Sequence, residues 1–163
     1  MPPTATATTP AVAATPTPTP TPPPPTPAAV ALNSSEQELF TLHNAERARA
    51  GAPALALDAT LVQVARARAA DMARQGYFAH TSPSGETAFS LMASYGFAFA
   101  TAGENIARNN YTTAQSAGVA MTGFLNSPPH RANLLDPNFD LAGVGMALGA
   151  DGMKYFAVVF AGR

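Results

Sequence analysis

The segment Tyr155-Phe156-Ala157-Val158-Val159-Phe160 is apolar at every position. Successive residues on a strand point to opposite faces, so a strand with two apolar faces has to be covered on both. Helices are the only other material the chain offers. Just upstream, Val144, Met146 and Leu148 alternate with Gly143, Gly145 and Ala147, and Asp151-Gly152 supplies a hairpin turn. The expected fold class is α+β: a three-layer α/β/α sandwich with a small antiparallel sheet between helices.

The rest of the chain of 163 residues divides unevenly. Residues 1–35 hold eleven of the 16 prolines and nine threonines, with no charged and no aromatic residue. The run TPTPTPTPPPPTP lacks the large apolar groups that offset ordering entropy, and it favours extended polyproline II. It reads as a disordered Pro/Thr/Ala-rich linker or stalk, of the kind found on secreted and surface proteins. A plain tail is the alternative. The start, MPPTATATTP, shows no basic segment and no apolar run of a signal peptide. Either a signal lies outside this numbering or the protein stays inside; the stalk favours the first.

Residues 36–163 carry every charged residue and are long enough for a single core without staples. A net charge of −1 gives no electrostatic footprint for nucleic acid or for an anionic membrane. The absence of Cys excludes disulfides, a thiolate nucleophile, Cys-ligated zinc and iron–sulfur clusters. No apolar run reaches the length of a transmembrane span.

Ser35 followed by Glu38 forms a capping box for a first helix, which carries Leu39, Leu42, His43 and Glu46 and stops near Gly51 and Pro53. Asp58 caps a second helix with an apolar stripe of Leu61, Ala65, Ala69 and Met72, ended by Gly76. Arg66, Arg68 and Arg74 on that helix read as a solvated face. Residues 77–87 are loop-like, and a short helix is expected around Ala88–Tyr95. Glu104-Asn105-Ile106-Ala107 reads as a short strand or extended stretch. Thr112 and Gln115 form a second capping box, whose helix turns Ala117, Met121, Phe124 and Leu125 inwards and is stopped by Pro128-Pro129.

The chain has three histidines, His43, His80 and His130. Imidazole is the side chain best suited to serve as base or metal ligand near neutral pH. His80 and His130 sit in a loop and at a helix end, as does Glu104 in Gly103-Glu104-Asn105, and such places concentrate functional groups. Two imidazoles and a carboxylate suit a divalent ion with open positions, or a water held by hydrogen bonds. The three lie 24 and 26 positions apart, with no HExxH spacing, so separate surface groups are the competing reading. His43, on the apolar side of its helix, reads as a hydrogen-bonded core residue. No GxSxG elbow supports a serine nucleophile, although Ser127 and Ser82 lie near His130 and His80 in sequence. Gly143-Val144-Gly145 lacks the third glycine of a dinucleotide loop. Asn33-Ser34-Ser35 and Asn110-Tyr111-Thr112 match the short glycosylation pattern.

The ordered segments carry a resemblance. Leu42-His43-Asn44-Ala45-Glu46-Arg47 comes first, then Gly76-Tyr77-Phe78-Ala79-His80-Thr81-Ser82-Pro83. Gly103-Glu104-Asn105-Ile106-Ala107 follows, then Phe124-Leu125-Asn126-Ser127-Pro128-Pro129-His130-Arg131-Ala132-Asn133-Leu134-Leu135, and Gly143-Val144-Gly145 closes the series. Over residues 36–163 this resembles the CAP superfamily, or SCP domain family, which includes cysteine-rich secretory proteins, insect venom antigens and plant pathogenesis-related proteins. It is most similar to the bacterial, cysteine-free branch. The resemblance implies an α/β/α sandwich, secretion, and a central cavity with two His and two Glu that takes zinc or another divalent ion in many members. On this chain the cavity residues fall at His80, Glu104 and His130. Phe124 stands at the position of a helix-end Trp, so Ser127 stands where the second Glu would be. The tetrad is therefore incomplete, which weakens metal binding. Many bacterial relatives place a His where this chain has Arg68, which removes another polar contact.

Three functions follow as expectations. The first is a secreted or surface-tethered ligand-binding module for a lipid or a cell-wall or surface component. Its cavity is lined by His80, Glu104, Ser127 and His130, with His80 and His130 as weak ligands for zinc or another divalent cation and Glu104 nearby. The second is a hydrolase that activates water with a metal or a His/Glu pair. The third is a structural surface domain. A shared fold does not choose among them.

Overall fold

A computed structural model describes residues 30–163. The Pro/Thr-rich segment falls almost wholly outside the described residues. The elements run α1 (Ser34–Arg49), β1 (Ala56–Leu57), α2 (Ala59–Gln75), α3 (Ala88–Ser94), β2 (Thr101–Asn109), α4 (Thr113–Asn126), α5 (Pro128–Leu135), β3 (Leu141–Leu148) and β4 (Lys154–Gly162). The strand order in the sheet is β1-β3-β4-β2, which leaves β2 on an edge.

The two-faced strand forms as expected. Phe156, Val158 and Phe160 of β4 join a core with Leu39 of α1, Met121 and Phe124 of α4 and Leu134 of α5. Tyr155, Ala157, Val159 and Ala161 join a second core with Leu61, Ala65, Ala69 and Met72 of α2 and Met92 of α3. These two cores on opposite faces of one sheet define the α/β/α sandwich. The sheet is not wholly antiparallel. β3 and β2 flank β4 antiparallel, but the two-residue β1 pairs parallel with β3. So short a strand needs only the turn after α1, where Asn44 pairs with both backbone groups of Leu55, at 2.8 and 3.0 Å.

The Gly143/Gly145 pair has a packing role. A Cβ at Gly143 would fall 2.0 Å from the Leu61 carbonyl carbon, and one at Gly145 would fall 2.2 Å from the Arg66 nitrogen. Both glycines lie in strand β3 rather than in a nucleotide loop. Their missing side chains let α2 lie directly on the sheet.

Several local expectations shift. The capping box of α1 is Asn33 with Glu36, two residues before Ser35 and Glu38. Both pairs satisfy the pattern, but only Glu36 finds tertiary partners. It is buried, and it accepts from Arg66 Nε at 3.0 Å and from the Met146 backbone at 3.2 Å. Asp58 and Gly76 bound α2 as read. At α4, Thr112 is the N-cap but its side chain makes no capping bond. Its hydroxyl turns to the Gln115 side chain instead. Leu125 is only partly buried. The extended stretch around Glu104 is a full nine-residue strand, because it pairs along its length with β4. Pro128-Pro129 ends α4 and also opens α5, at its first two positions, where the missing N–H groups cost nothing. No helix among the described residues is long and apolar enough to cross a membrane.

Candidate functional site

The site forms around edge strand β2. Alternation along the strand sends Glu104 and Ile106 towards α2, and Asn105 and Ala107 towards α4 and α5. Glu104 is buried, and its carboxylate is fully engaged. Oε1 accepts from Arg68 Nε at 3.0 Å, and Oε2 accepts from His80 Nδ1 at 2.7 Å. The His80 side chain stays 54% exposed. Asn105, on the opposite face, donates to the His130 carbonyl at 2.8 Å and accepts from Asn133 at 3.0 Å. That fixes α5 against β2 and brings the His130 ring to 6.3 Å from the His80 ring, centroid to centroid. Burial pushes the His130 pKa down, and the neighbouring His80 pushes it further.

His80, Glu104 and His130 thus meet in space, although they lie far apart in the sequence. Ser127 caps the junction of α4 and α5 and lines a groove beside His130. Ser82 is occupied elsewhere: its hydroxyl accepts from Glu86 N at 2.9 Å and pairs with Ser84. His43 is a core residue. Its Nδ1 donates to the Leu39 carbonyl at 2.8 Å, and desolvation lowers its pKa to about 4.

Arg68 departs from expectation. It is not on a solvated face but fully buried. Besides Glu104, it donates to the Tyr77 hydroxyl at 2.9 Å and to the Ala79 carbonyl at 2.8 Å. Burial alone pushes its pKa down, and the Glu104 carboxylate and Tyr77 more than reverse this. The Tyr77 hydroxyl in turn donates to Asp71 at 2.8 Å. Arg68 therefore supplies a polar contact where a loss was expected. A signal was present: positions 61, 65, 68 and 72 keep helical spacing, so Arg68 lies on the stripe that faces the sheet. Arg66 is half-buried and paired with Glu36, and only Arg74 is the exposed arginine expected.

The donor set does not suit a resident divalent ion. Both oxygens of its one carboxylate are engaged, one by a fixed cation, and Ser127 offers a neutral hydroxyl. Among the described residues, no three His, Cys, Asp or Glu side chains are placed to hold a metal.

An α/β/α sandwich of this kind is the architecture of CAP, or SCP, domains. The chain belongs to the cysteine-rich secretory protein (CAP) family, whose model matches residues 40–160. It is 41% identical over 110 residues to the protein YkwD of Bacillus subtilis (strain 168), a match covering 68% of this chain and 41% of YkwD. An extracellular SCP-domain protein from Bacillus anthracis superposes with TM-score 0.69 at 34% identity, over 79% of this chain and 40% of that one. The chain thus spans about two fifths of the length of both relatives. An outer surface protein of Borrelia burgdorferi superposes with TM-score 0.71, over 82% of this chain and 96% of that one. At 22% identity, that likeness concerns the fold alone.

Proposed function

We propose that the chain is a secreted or surface-tethered ligand-binding module. In this reading, the groove between β2 and α4 receives the apolar part of a lipid or cell-surface component. One observation carries it: the groove of about 520 Å³ is lined by apolar Phe78, Val119, Ala120 and Phe124 and by polar Arg108, Asn109, Ser127 and His130, while His80 and Glu104 lie outside its lining. An apolar cleft with a few convergent polar groups is the usual form of a small-molecule site. A larger concavity of about 620 Å³ by Phe97 and Arg163 contains none of the site residues. The extracellular character of the Bacillus anthracis relative supports the location.

Displacement of a fluorescent long-chain fatty acid tests this. Gly123 lines the groove, and a Cβ there meets nothing within 4 Å, so Gly123→Leu starts a side chain into open space and narrows the groove. The wild type should bind the probe saturably, and the variant should lose at least about tenfold in affinity while keeping its fold. Equal binding by both proteins would place the ligand elsewhere.

A hydrolase is the second reading. It rests on the buried Glu104 oxygen 2.7 Å from Nδ1 of an exposed imidazole, which orients His80 Nε2 outwards as a base. Turnover of a chromogenic ester that disappears in His80→Ala would favour it over binding alone.

A further inference from the structure

We propose that Arg68 is the built-in cation of this site: it holds Glu104 and His80 in register without a metal ion, and it keeps divalent ions out. This goes beyond the ligand-binding reading and does not depend on what the groove takes.

The geometry places one guanidinium on both partners of the His80–Glu104 bond. On the strand side, Nε reaches Glu104 at 3.0 Å. On the loop side, Nη2 reaches the carbonyl of Ala79, the residue before His80, at 2.8 Å. Nη1 reaches Tyr77, which Asp71 anchors in turn. The loop carrying His80 and the strand carrying Glu104 are therefore tied through a single planar fork, a task suited to Arg rather than Lys. The positive charge of Arg68 already balances Glu104 in a place with no solvent exposure at Arg68 itself. A divalent ion bridging Glu104 and the imidazoles would add two charges beside that guanidinium, with no second carboxylate to offset them. Repulsion at this range in a half-buried site outweighs what two imidazoles offer. Arg68 acts here as a positioning residue, because it is not among the residues that line the groove.

Calorimetric titration of the full chain with zinc chloride is the first measurement. The wild type should show no saturable one-site binding. A saturable site lost in His80→Ala/His130→Ala would overturn the proposal outright. Arg68→Met should then gain zinc affinity by about tenfold or more, because Glu104 loses its partner. A folded Arg68→Met that binds no more zinc than the wild type would also overturn it. Should Arg68→Met fail to fold, Arg68→Lys carries the test. It keeps the charge but not the fork, so ¹⁵N spectra should show the His80 imidazole leaving its Nδ1–H tautomer. Arg49→Ala, a change at an exposed α1 residue that pairs, among the described residues, only with Glu46, should leave that signal in place. An unmoved His80 in Arg68→Lys would remove the positioning role.

Discussion

Two arginines of this domain are equally buried and do opposite things. Arg47 sits on α1 and Arg68 on α2, on either side of the sheet, and neither side chain is solvent-exposed. Every hydrogen-bond partner of Arg47 is a backbone carbonyl: Pro53 at 2.6 Å, and Leu134, Asp136 and Phe139 at 2.9 Å. It closes the end of α5 and the turn after α1 onto one another, and the chain of contacts stops there. Arg68 instead meets a carboxylate whose other oxygen carries on to an exposed imidazole. A buried cation bound to carbonyls secures a fold. One bound to a carboxylate can also set up a site.

The largest expected effect lies on the carbonyl side. Arg47→Leu leaves four backbone acceptors without their donor, two of them in bonds that are fully buried. Breaking a buried charged set of this kind costs about 3–5 kcal/mol. The urea midpoint should fall accordingly, with the His80 tautomer unchanged in whatever fraction stays folded. A loss under about 1 kcal/mol would mean that water replaces the guanidinium and the clamp is not structural.

Acid should single out the same region. His43 lies one turn before Arg47, with its ring 5.8 Å from Phe124 and 5.7 Å from Phe160. Its Nε2 has no hydrogen-bond partner among the described residues. Desolvation first, opposed by the Leu39 carbonyl and aided by the Arg47 charge, lowers its pKa from 6.5 to about 4. The unfolded chain therefore binds this proton before the folded one. The stability tied to His43 is complete above about pH 6.5 and drains away as the pH falls through about 4, by about 3 kcal/mol in total. His43→Leu should flatten that limb of the stability–pH curve. If the slope between those pH values is unchanged, His43 is not what senses acid.

Legibility in the sequence follows the same division between what is local and what is not. The terminal strand announces both cores because its apolar residues fill both faces, a property of the strand alone. Asp58 and Gly76 announce the ends of α2 because caps act within a turn. The two capping boxes at α1 cannot be ranked from local pattern, because the choice of Glu36 depends on Arg66, 30 residues away. The start of α5 is hidden because Pro-Pro both ends one helix and opens the next. At the site, His80, Glu104 and His130 stand out by residue type and by their places in loops and at element ends, and the resemblance groups them, whereas their convergence needs Asn105 to hold the His130 carbonyl, a contact 25 residues apart. Arg68 is misplaced by composition, which treats arginine as a surface residue. Its spacing from Leu61, Ala65 and Met72 puts it inside, which demands a buried anion facing it.

The sharpest test of the comparison is a pair of double-mutant cycles. Arg68 and Glu104 form a fully buried ion pair, so each single change strands the other partner. Arg68→Met and Glu104→Gln should each destabilise the domain, and the double variant should recover part of the loss, with a coupling of about 1–3 kcal/mol. Arg47 and Asp136 offer the control. Arg47 bonds the backbone oxygen of Asp136, while the carboxylate of Asp136 is occupied by the Asn138 backbone and side chain, both at 2.9 Å. Asp136→Asn removes a nearby negative charge but no hydrogen bond to Arg47, so that cycle should couple by no more than about 0.5 kcal/mol. Chemical denaturation of the two sets under one buffer gives both numbers. Equal couplings would erase the distinction between a cation that closes the fold and one that anchors the site. A large coupling at Arg68 alone means that Glu104 is held by its charge, and that the orientation of His80 depends on that pair.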